Sequence, residues 1–541
     1  MTAIAIDFGS SNTLVGEWNE VTQAPEILSL TQISTPETAL IPSVLYFRDA
    51  AKDRIAIGHQ VIAGDYKSGI RYFDQIKRSL LVENAPTYQI NGVSVHPQLA
   101  GKLFLQQVFK HLRSQNIEIT ELIFTAPVQA YERYLRWLES CSPDLMDASD
   151  FAGDIRIIDE PTAAALGYAI TSPNSLILVI DFGGGTLDIC MVRTPKVKNL
   201  NEWGEVIGDR YLCDFNDSED QTKARSKDRQ VEVIAKTGQA IGGTDIDRWL
   251  VEDFCDRHNF SQEISQGILL KLMEKIKVTL SAQDLATEVF YDAQNIVAHD
   301  ISYSRKQLEQ ILQDRGFYRV LQNAIDEVVN RSVAKGILKM DIKHIVLVGG
   351  SSLIPSVQAL IKHTFPYAQV HSDRPFEAVI HGALLLNQGL GIRDHLFHDY
   401  AIRYLPNQNQ DWHYQPLFLK GQSYPTKYPF ELILRASHSD QAHIDLVVGE
   451  LEKRTMESVE VIFQGDRLVS EVTNTVTTNF LPLIDSATPQ LLIPLQPLGQ
   501  IGSDRLKVIF QISEQRELIV TVIDLETEVE LFTEQAIAQL S

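Results

Sequence analysis

Ile4-Ala5-Ile6-Asp7-Phe8-Gly9-Ser10-Ser11-Asn12-Thr13-Leu14-Val15 lies near the start of the chain, and its centre returns later as Ile180-Asp181-Phe182-Gly183-Gly184-Gly185. Each copy follows a short apolar run and precedes another, Leu14-Val15 in the first and Leu187 to Val192 in the second. Apolar run, tiny residues, apolar run predicts a β-hairpin. Small residues at the tip let backbone amides approach an anion and cradle a phosphate. The Asp ending each incoming strand is placed to face a phosphate-bound cation, which demands a hard oxygen ligand. Two copies predict two halves, each offering a phosphate hairpin to a shared cleft. The competing reading is a pair of ordinary tight turns in an α/β sheet.

Asp-Phe-Gly also occurs in protein kinases, but no His-Arg-Asp catalytic loop or Val-Ala-Ile-Lys strand accompanies it here. A GxxxxGK[ST] loop is missing as well, which removes the P-loop enzymes. Ile345-Val346-Leu347-Val348-Gly349-Gly350-Ser351-Ser352 reads as a buried strand feeding a Gly-Gly turn, with a helix from Ile354 to Thr364. Such a turn suits close backbone approach to a flat ring or a ribose. Gly242-Gly243 before Thr244-Asp245 is a further turn, and Ile268 to Ser281 and Ser304 to Ala334 carry apolar residues at helical spacing.

The chain of 541 residues is too long for one hydrophobic core, so two to four domains are expected. Its 44% hydrophobic and 22% charged content are those of a globular protein. A net charge of -22 argues against nucleic acid as a partner, since phosphate backbones require a basic face. Cys141, Cys190, Cys213 and Cys255 are scattered without CxxC pairing, as reduced thiols would be. Met1 to Ile6 runs directly into a strand with no basic n-region, and the apolar runs are too short to span a bilayer. The expectation is a cytoplasmic protein with no membrane association.

Together these segments resemble the heat-shock chaperone branch of the actin-like ATPases, the seventy-kilodalton heat-shock protein family. Ile4 to Val15 is similar to its first phosphate motif and Val179 to Ile189 to its second. Arg156-Ile157-Ile158-Asp159-Glu160-Pro161-Thr162-Ala163-Ala164-Ala165-Leu166 resembles its first connecting helix, Val346 to Pro355 its adenosine motif, and Glu377-Ala378-Val379 with Gly382-Ala383 its second connecting helix. The five ordered motifs cover Met1 to about Gly389. The resemblance implies an α/β actin-like ATPase domain, two duplicated lobes around a nucleotide cleft, at residues 1–390. It implies binding of ATP or ADP with Mg2+ and slow hydrolysis of ATP.

Carried over residue by residue, the resemblance makes Asp7 and Asp181 the magnesium carboxylates, acting through water because Mg2+ dehydrates reluctantly. Lys77, in Gln75-Ile76-Lys77-Arg78, would neutralise charge on the γ-phosphate, Glu160 would order the attacking water, and Thr186 would set its hydroxyl beside the γ-phosphate. That is a constellation for phosphoryl transfer to water. Outside the resemblance, Lys77 reads as a solvated lysine and Glu160 as an acid at a helix start. Gly9, Ser10, Ser11, Asn12, Gly183, Gly184, Gly185, Gly242 and Gly243 would hold phosphates. Glu274, Lys277 and Ser281, on one helix face, would meet the adenosine with Gly349, Gly350, Ser351 and Leu353. Relatives sandwich adenine between two arginines, where this chain has Val278 and Leu353, so the cation–π contribution is lost.

After Gly391 short alternating runs such as Phe430 to Leu434, Ile444 to Val448, Leu506 to Ile512 and Leu518 to Val522 predict an all-β sandwich domain at residues 404–541. Leu417-Phe418-Leu419-Lys420 with Tyr424-Pro425-Thr426-Lys427 resembles the start of the family's peptide-binding β-domain. That implies an unfolded or extended polypeptide as partner, with Tyr414 and Ile444 lining its pocket. Residues 391–403 would be the linker, yet only Leu396 and Phe397 stand where relatives carry a leucine run, which weighs against coupling to a J-domain co-chaperone. Ser541 falls just past the last predicted strand, so a helical lid is not expected. Pro195 to Gln230 reads as a charged surface loop or a partner-binding insert. Two functions stay open: an ATP-hydrolysing chaperone, or a nucleotide-gated binding or scaffold protein that hydrolyses little.

Overall fold

Both copies of the repeated segment form antiparallel hairpins. Thr2–Phe8 pairs with Asn12–Asn19 in a register that sets Asp7 opposite Leu14, and Leu176–Phe182 pairs with Leu187–Arg193, setting Asp181 opposite Asp188. This is a computed structural model, and it describes residues 2–64, 66, 69–80, 82, 85–115, 117, 119–128, 131–145, 155–169, 174–194, 230–258, 266–292, 297–386, 391–393, 396, 398–404, 412–426, 428–464, 467–483, 491–513 and 516–540. The chain divides into two units, Met1–Ile392 and Arg393–Ser541.

In the first unit the hairpins seed two sheets of matching topology. The strand Thr2–Phe8 runs parallel to Ile119–Ala126, which runs parallel to Ile155–Asp159, while Asn12–Asn19 carries the antiparallel Ala24–Ile27 on its other edge. Likewise Leu176–Phe182 runs parallel to His344–Val348, that strand to Gln369–His371, and Leu187–Arg193 carries the antiparallel Gln230–Gln239. Successive strand residues face opposite sides. Ile4, Ile6 and Phe8 therefore enter one apolar cluster, with Phe104 and Phe124, while Ala5 enters another. Leu178, Ile180 and Phe182 enter the core of the second sheet, and Ile177 and Val179 join Ala5.

That shared cluster holds the two sheets together, and two alanine-rich helices fill it. Glu160–Ala169 contributes Ala163, Ala164, Ala165 and Leu166, and Glu377–Leu385 contributes Ala378, Val379 and Ala383. The helices approach so closely that a Cβ on Gly382 would collide with the carbonyl oxygen of Ala163. Only glycine permits that approach.

Two predicted helices differ in extent. Of the segment Arg156 to Leu166, residues Ile155–Asp159 form a strand, because the β-branched Ile155, Ile157 and Ile158 complete the first sheet. The helix starts at Glu160, where the Asp159 carboxylate accepts the Thr162 amide at 2.9 Å. Ser304 to Ala334 is two helices, Arg305–Asp314 and Phe317–Val333. Ser304 opens the first with a capping box to Gln307, and Gly316, left-handed at φ 69°, breaks the run.

All named elements of the second unit are strands. Asp399–Tyr404, His413–Phe418, Val447–Gln464 and Arg467–Pro482 form one sheet, Phe430–Arg435, Asp504–Ile512, Glu517–Asp524 and Val529–Gln539 another, and Gln441–Asp445 pairs with Leu492–Gly499. Leu506, Val508, Phe510 and Ile512 alternate into its core with Tyr400, Phe418 and Val520. Leu396 is also buried there, donating its amide to Gln422 O at 2.9 Å, so it is an anchor of this unit. Phe397 and most of the charged segment 195–230 lie outside the described residues. Among the described residues no helix is long and apolar enough to cross a membrane.

Gly382→Ala should destabilise the first unit by about 1–3 kcal/mol, because the backbone of Ala163 has to give way. Chemical denaturation measures it; an unchanged midpoint would mean that the two helices can part freely.

Candidate active site

The two hairpin tips meet. A Cβ on Gly184 would strike Ser11 Oγ, and one on Gly185 would strike Ser10 Oγ, so glycine at these positions lets the second tip lie against the first. The turn at Gly242–Thr244 clamps the second tip from outside: Gly243 N donates to Gly183 O at 3.0 Å and Thr244 N to Gly184 O at 2.9 Å. Asp245 accepts Gly242 N at 2.9 Å and receives both Arg78 guanidinium nitrogens at 2.9 Å, a bidentate pair between the two halves of the unit.

Beside Arg78, Lys77 turns inward from the short helix Ile76–Leu80 and is buried, its Nζ bonded to Glu160 Oε1. Asp7 holds its carboxylate to Thr125 Oγ1 at 2.7 Å. Burial pulls the Lys77 ammonium down, but Glu160, Asp7 and Asp181 around it hold it above its ordinary value, so it stays a cation. Asp181 is pushed well up by burial and by the charges of Glu160, Asp188 and Asp7, while Lys77 pulls the other way. Glu160 is likewise lifted by burial, against the pull of Lys77.

Asp188 went unremarked in the sequence, although a charged residue in the apolar run Leu187 to Val192 was a readable signal. Opposite Asp181 in the hairpin, it is fully buried, and neither oxygen has a well-aligned hydrogen-bond partner. Burial and Glu160 push it up to about 8, with the Thr186 hydroxyl close enough to offset part of the rise. The cluster thus has more buried carboxylates than cations, and this is the electrostatic demand of a missing positive charge. Among the described residues no three His, Cys, Asp or Glu converge to cage a bare ion. The set fits a divalent cation that keeps water and phosphate oxygens as ligands.

On the other side, Gly183, Gly243, Lys277 and Ser351 converge: Ser351 Oγ donates to Gly183 O at 3.0 Å and Lys277 Nζ to Gly243 O at 3.0 Å. Lys277 also pairs with Asp247 Oδ2 at 2.8 Å, a partner not foreseen from sequence, and burial lifts Asp247 to about 7 despite Lys277. Gly349 N donates to Pro375 O at 2.7 Å, and Gly350–Leu353 form one 3-10 turn. Glu274 is exposed, and Ser281 bonds its own helix at Lys277 O, 3.2 Å away. Val278 is 62% exposed. In the second unit Tyr414 stacks on Phe480 with ring centres 5.1 Å apart, and Ile444 is buried in the core.

A family model described as "Hsp70 protein" matches residues 139–198 and 226–398. The heat shock cognate HSP70 protein of Trypanosoma brucei brucei is 28% identical over 422 residues, covering 70% of this chain and 55% of that protein. The chaperone protein dnaK of Trieres chinensis is 26% identical over 423 residues, covering 71% and 60%. The chaperone protein dnaK1 of Synechocystis is 28% identical over 326 residues, covering 56% and 40%. Over these residues the chain is similar to Hsp70 proteins. It spans between half and two thirds of the length of the first two of these relatives.

Asp188 makes stability depend on pH in a defined direction. Its folded-state value near 8 exceeds the roughly 4 of an unfolded Asp, so its contribution is complete below about pH 4 and is lost as pH rises through about 8. An asparagine at this position does not titrate, so Asp188→Asn should gain on wild type in melting temperature as pH rises from about 5 to about 8.5 without added nucleotide. A constant gap across that range would show that Asp188 is already charged.

Proposed function

We propose that the chain is an ATP-dependent chaperone: residues 1–390 an actin-like nucleotide-binding domain that hydrolyses ATP slowly with Mg2+, followed by a β-sandwich that takes unfolded or extended polypeptide, with the expected linker 391–403 shortened because Asp399–Tyr404 is already a strand of that sandwich. The observation that carries this reading is the buried Lys77 ammonium among Glu160, Asp7, Asp181 and Asp188, where two tips of small residues meet. Backbone amides of the two tips supply fixed dipoles for phosphate oxygens. Lys77, held by Glu160, sets a cation where negative charge grows on the transferred group. Glu160 orders the attacking water, and Thr186 aims its hydroxyl at the same centre. Asp7 and Asp181 would hold the magnesium through its waters, with Asp188 opposite Asp181 in the second hairpin; when bound, that ion would supply the positive charge the cluster lacks. Tyr414 and Ile444 are the candidate peptide contacts, with Ile444 buried in the core of its unit. A J-domain co-chaperone is a candidate partner.

A nucleotide-gated scaffold with little turnover is the second reading. The commitment of Lys277 to Asp247 and the aliphatic Val278 and Leu353 favour it, since they offer adenine no cation. Steady-state and single-turnover ATP hydrolysis, with and without an unfolded peptide, separates the two. The chaperone reading expects magnesium-dependent turnover stimulated by peptide, with losses of about 100-fold in Lys77→Ala and about 10-fold or more in Asp181→Asn and Thr186→Ala. Equal rates in wild type and Lys77→Ala would remove the lysine from the mechanism.

Calorimetry tests the adenine side. Val278→Arg with Leu353→Arg should tighten ADP binding by one to two orders of magnitude, at about 0.5–2 kcal/mol for each restored cation–π contact. Unchanged affinity would show that neither position faces the ring.

A further inference from the structure

Tyr134 lies on the helix Tyr131–Leu145, is fully buried, and has a phenolic oxygen without a hydrogen-bond partner. Its ring packs on Trp137, centre to centre 5.5 Å, and Trp137 in turn contacts Phe8, so its back is apolar. Lys77 Nζ lies 5.3 Å from its ring centre, and the charges of Glu160 and Asp7 reach its phenol. A buried hydroxyl without a partner costs stability, and a phenyl ring would fill the same space without that cost. The hydroxyl therefore suits a partner that arrives with the ligand.

We propose that the Tyr134 hydroxyl donates a hydrogen bond to an oxygen of the phosphoryl group undergoing transfer. The inference rests on the nucleotide reading of this site and adds a donor to it that no sequence motif marked. Burial, then the charges of Glu160 and Asp7, hold the phenol far above its ordinary value, so it keeps its proton and acts as a neutral donor. It neither takes nor gives up a proton in the reaction: water oxygen bonds to phosphorus, the bridging oxygen leaves with ADP, and the proton of water leaves through the carboxylate side. A neutral donor beside the Lys77 cation is directed at charge that develops on the equatorial oxygens, so its effect belongs to the transition state.

Tyr134→Phe in the full chain tests this through three readouts. Without nucleotide its melting temperature should equal or exceed that of wild type, because an unpaired buried hydroxyl is gone. Affinity for Mg·ADP should be unchanged within about 2-fold, while affinity for Mg·ADP with aluminium fluoride, a planar phosphoryl mimic, and the single-turnover rate should each fall about 10-fold. Full analogue affinity and full rate would overturn the proposal and leave the hydroxyl idle. A lowered melting temperature with equal losses for ADP and analogue would overturn it in favour of a packing role. Wild type that binds no Mg·ADP would sink the nucleotide reading and this inference together, whereas loss of the Tyr134 effect alone leaves that reading standing.

Discussion

One buried ammonium decides what this cleft can be. Lys77 reaches Glu160 from a helix of five residues, and Asp7 and Asp181 add their fields to the same nitrogen. Desolvation would ordinarily strip such a lysine of its proton, and here the carboxylates win. The reverse does not hold, because one lysine cannot satisfy them all, and Asp181 and Asp188 stay lifted. A site built this way is under-neutralised, so a ligand that brings in a cation relieves it, whereas bare phosphate would add to the repulsion. The demand for a cation follows from charge balance before any mechanism is invoked.

The scaffold supplies the carboxylates by repetition. Each sheet places an Asp at the end of the incoming strand of its hairpin, and the matching topology turns both tips to a common place. The approach of Gly382 to Ala163 fixes how closely the two connecting helices pack, and the alanines at 163–165, 378 and 383 keep the cluster between them narrow. Small residues thus act at both ends of the same geometry, at the tips for ligand approach and at the helices for sheet approach.

Much of this was legible in the sequence because it was written in glycine and in strand periodicity. The hairpins at Asp7 and Asp181, the turn at Gly242 and the strand–turn at Val348-Gly349-Gly350 are local features, and local chemistry sets them. What stayed hidden was non-local. Nothing near Tyr134 announces that its ring will lie against Lys77, and nothing in the helix Gln266–Ala282 reveals that Lys277 will spend its charge on Asp247. Ile155–Asp159 was hidden for another reason: its helix-like continuation into Glu160 masked a β-branched run that only the neighbouring strand makes sense of. Gly316 was visible, but inside a periodic apolar pattern a single glycine is a weak stop unless Ser304 and Gln307 show where the first helix begins.

The second tip and the segment that bears Lys77 are also joined through one carboxylate. Asp245 accepts the amide of Gly242, in the turn that clamps the second tip, and with its two oxygens it holds Arg78, the neighbour of Lys77. Farther out, Lys271 sits 3.9 Å from the ring centre of Tyr72, and it also pulls on the half-buried Asp74 two residues on. These contacts tie the segment Tyr72 to Arg78 to the helices that begin at Gly243 and Gln266. Within these contacts the Arg78–Asp245 pair joins the segment bearing Lys77 to the turn at Gly242. The turn that clamps the second tip and the pair that joins the two halves of the unit therefore share one acceptor, so losing Asp245 should loosen both contacts together.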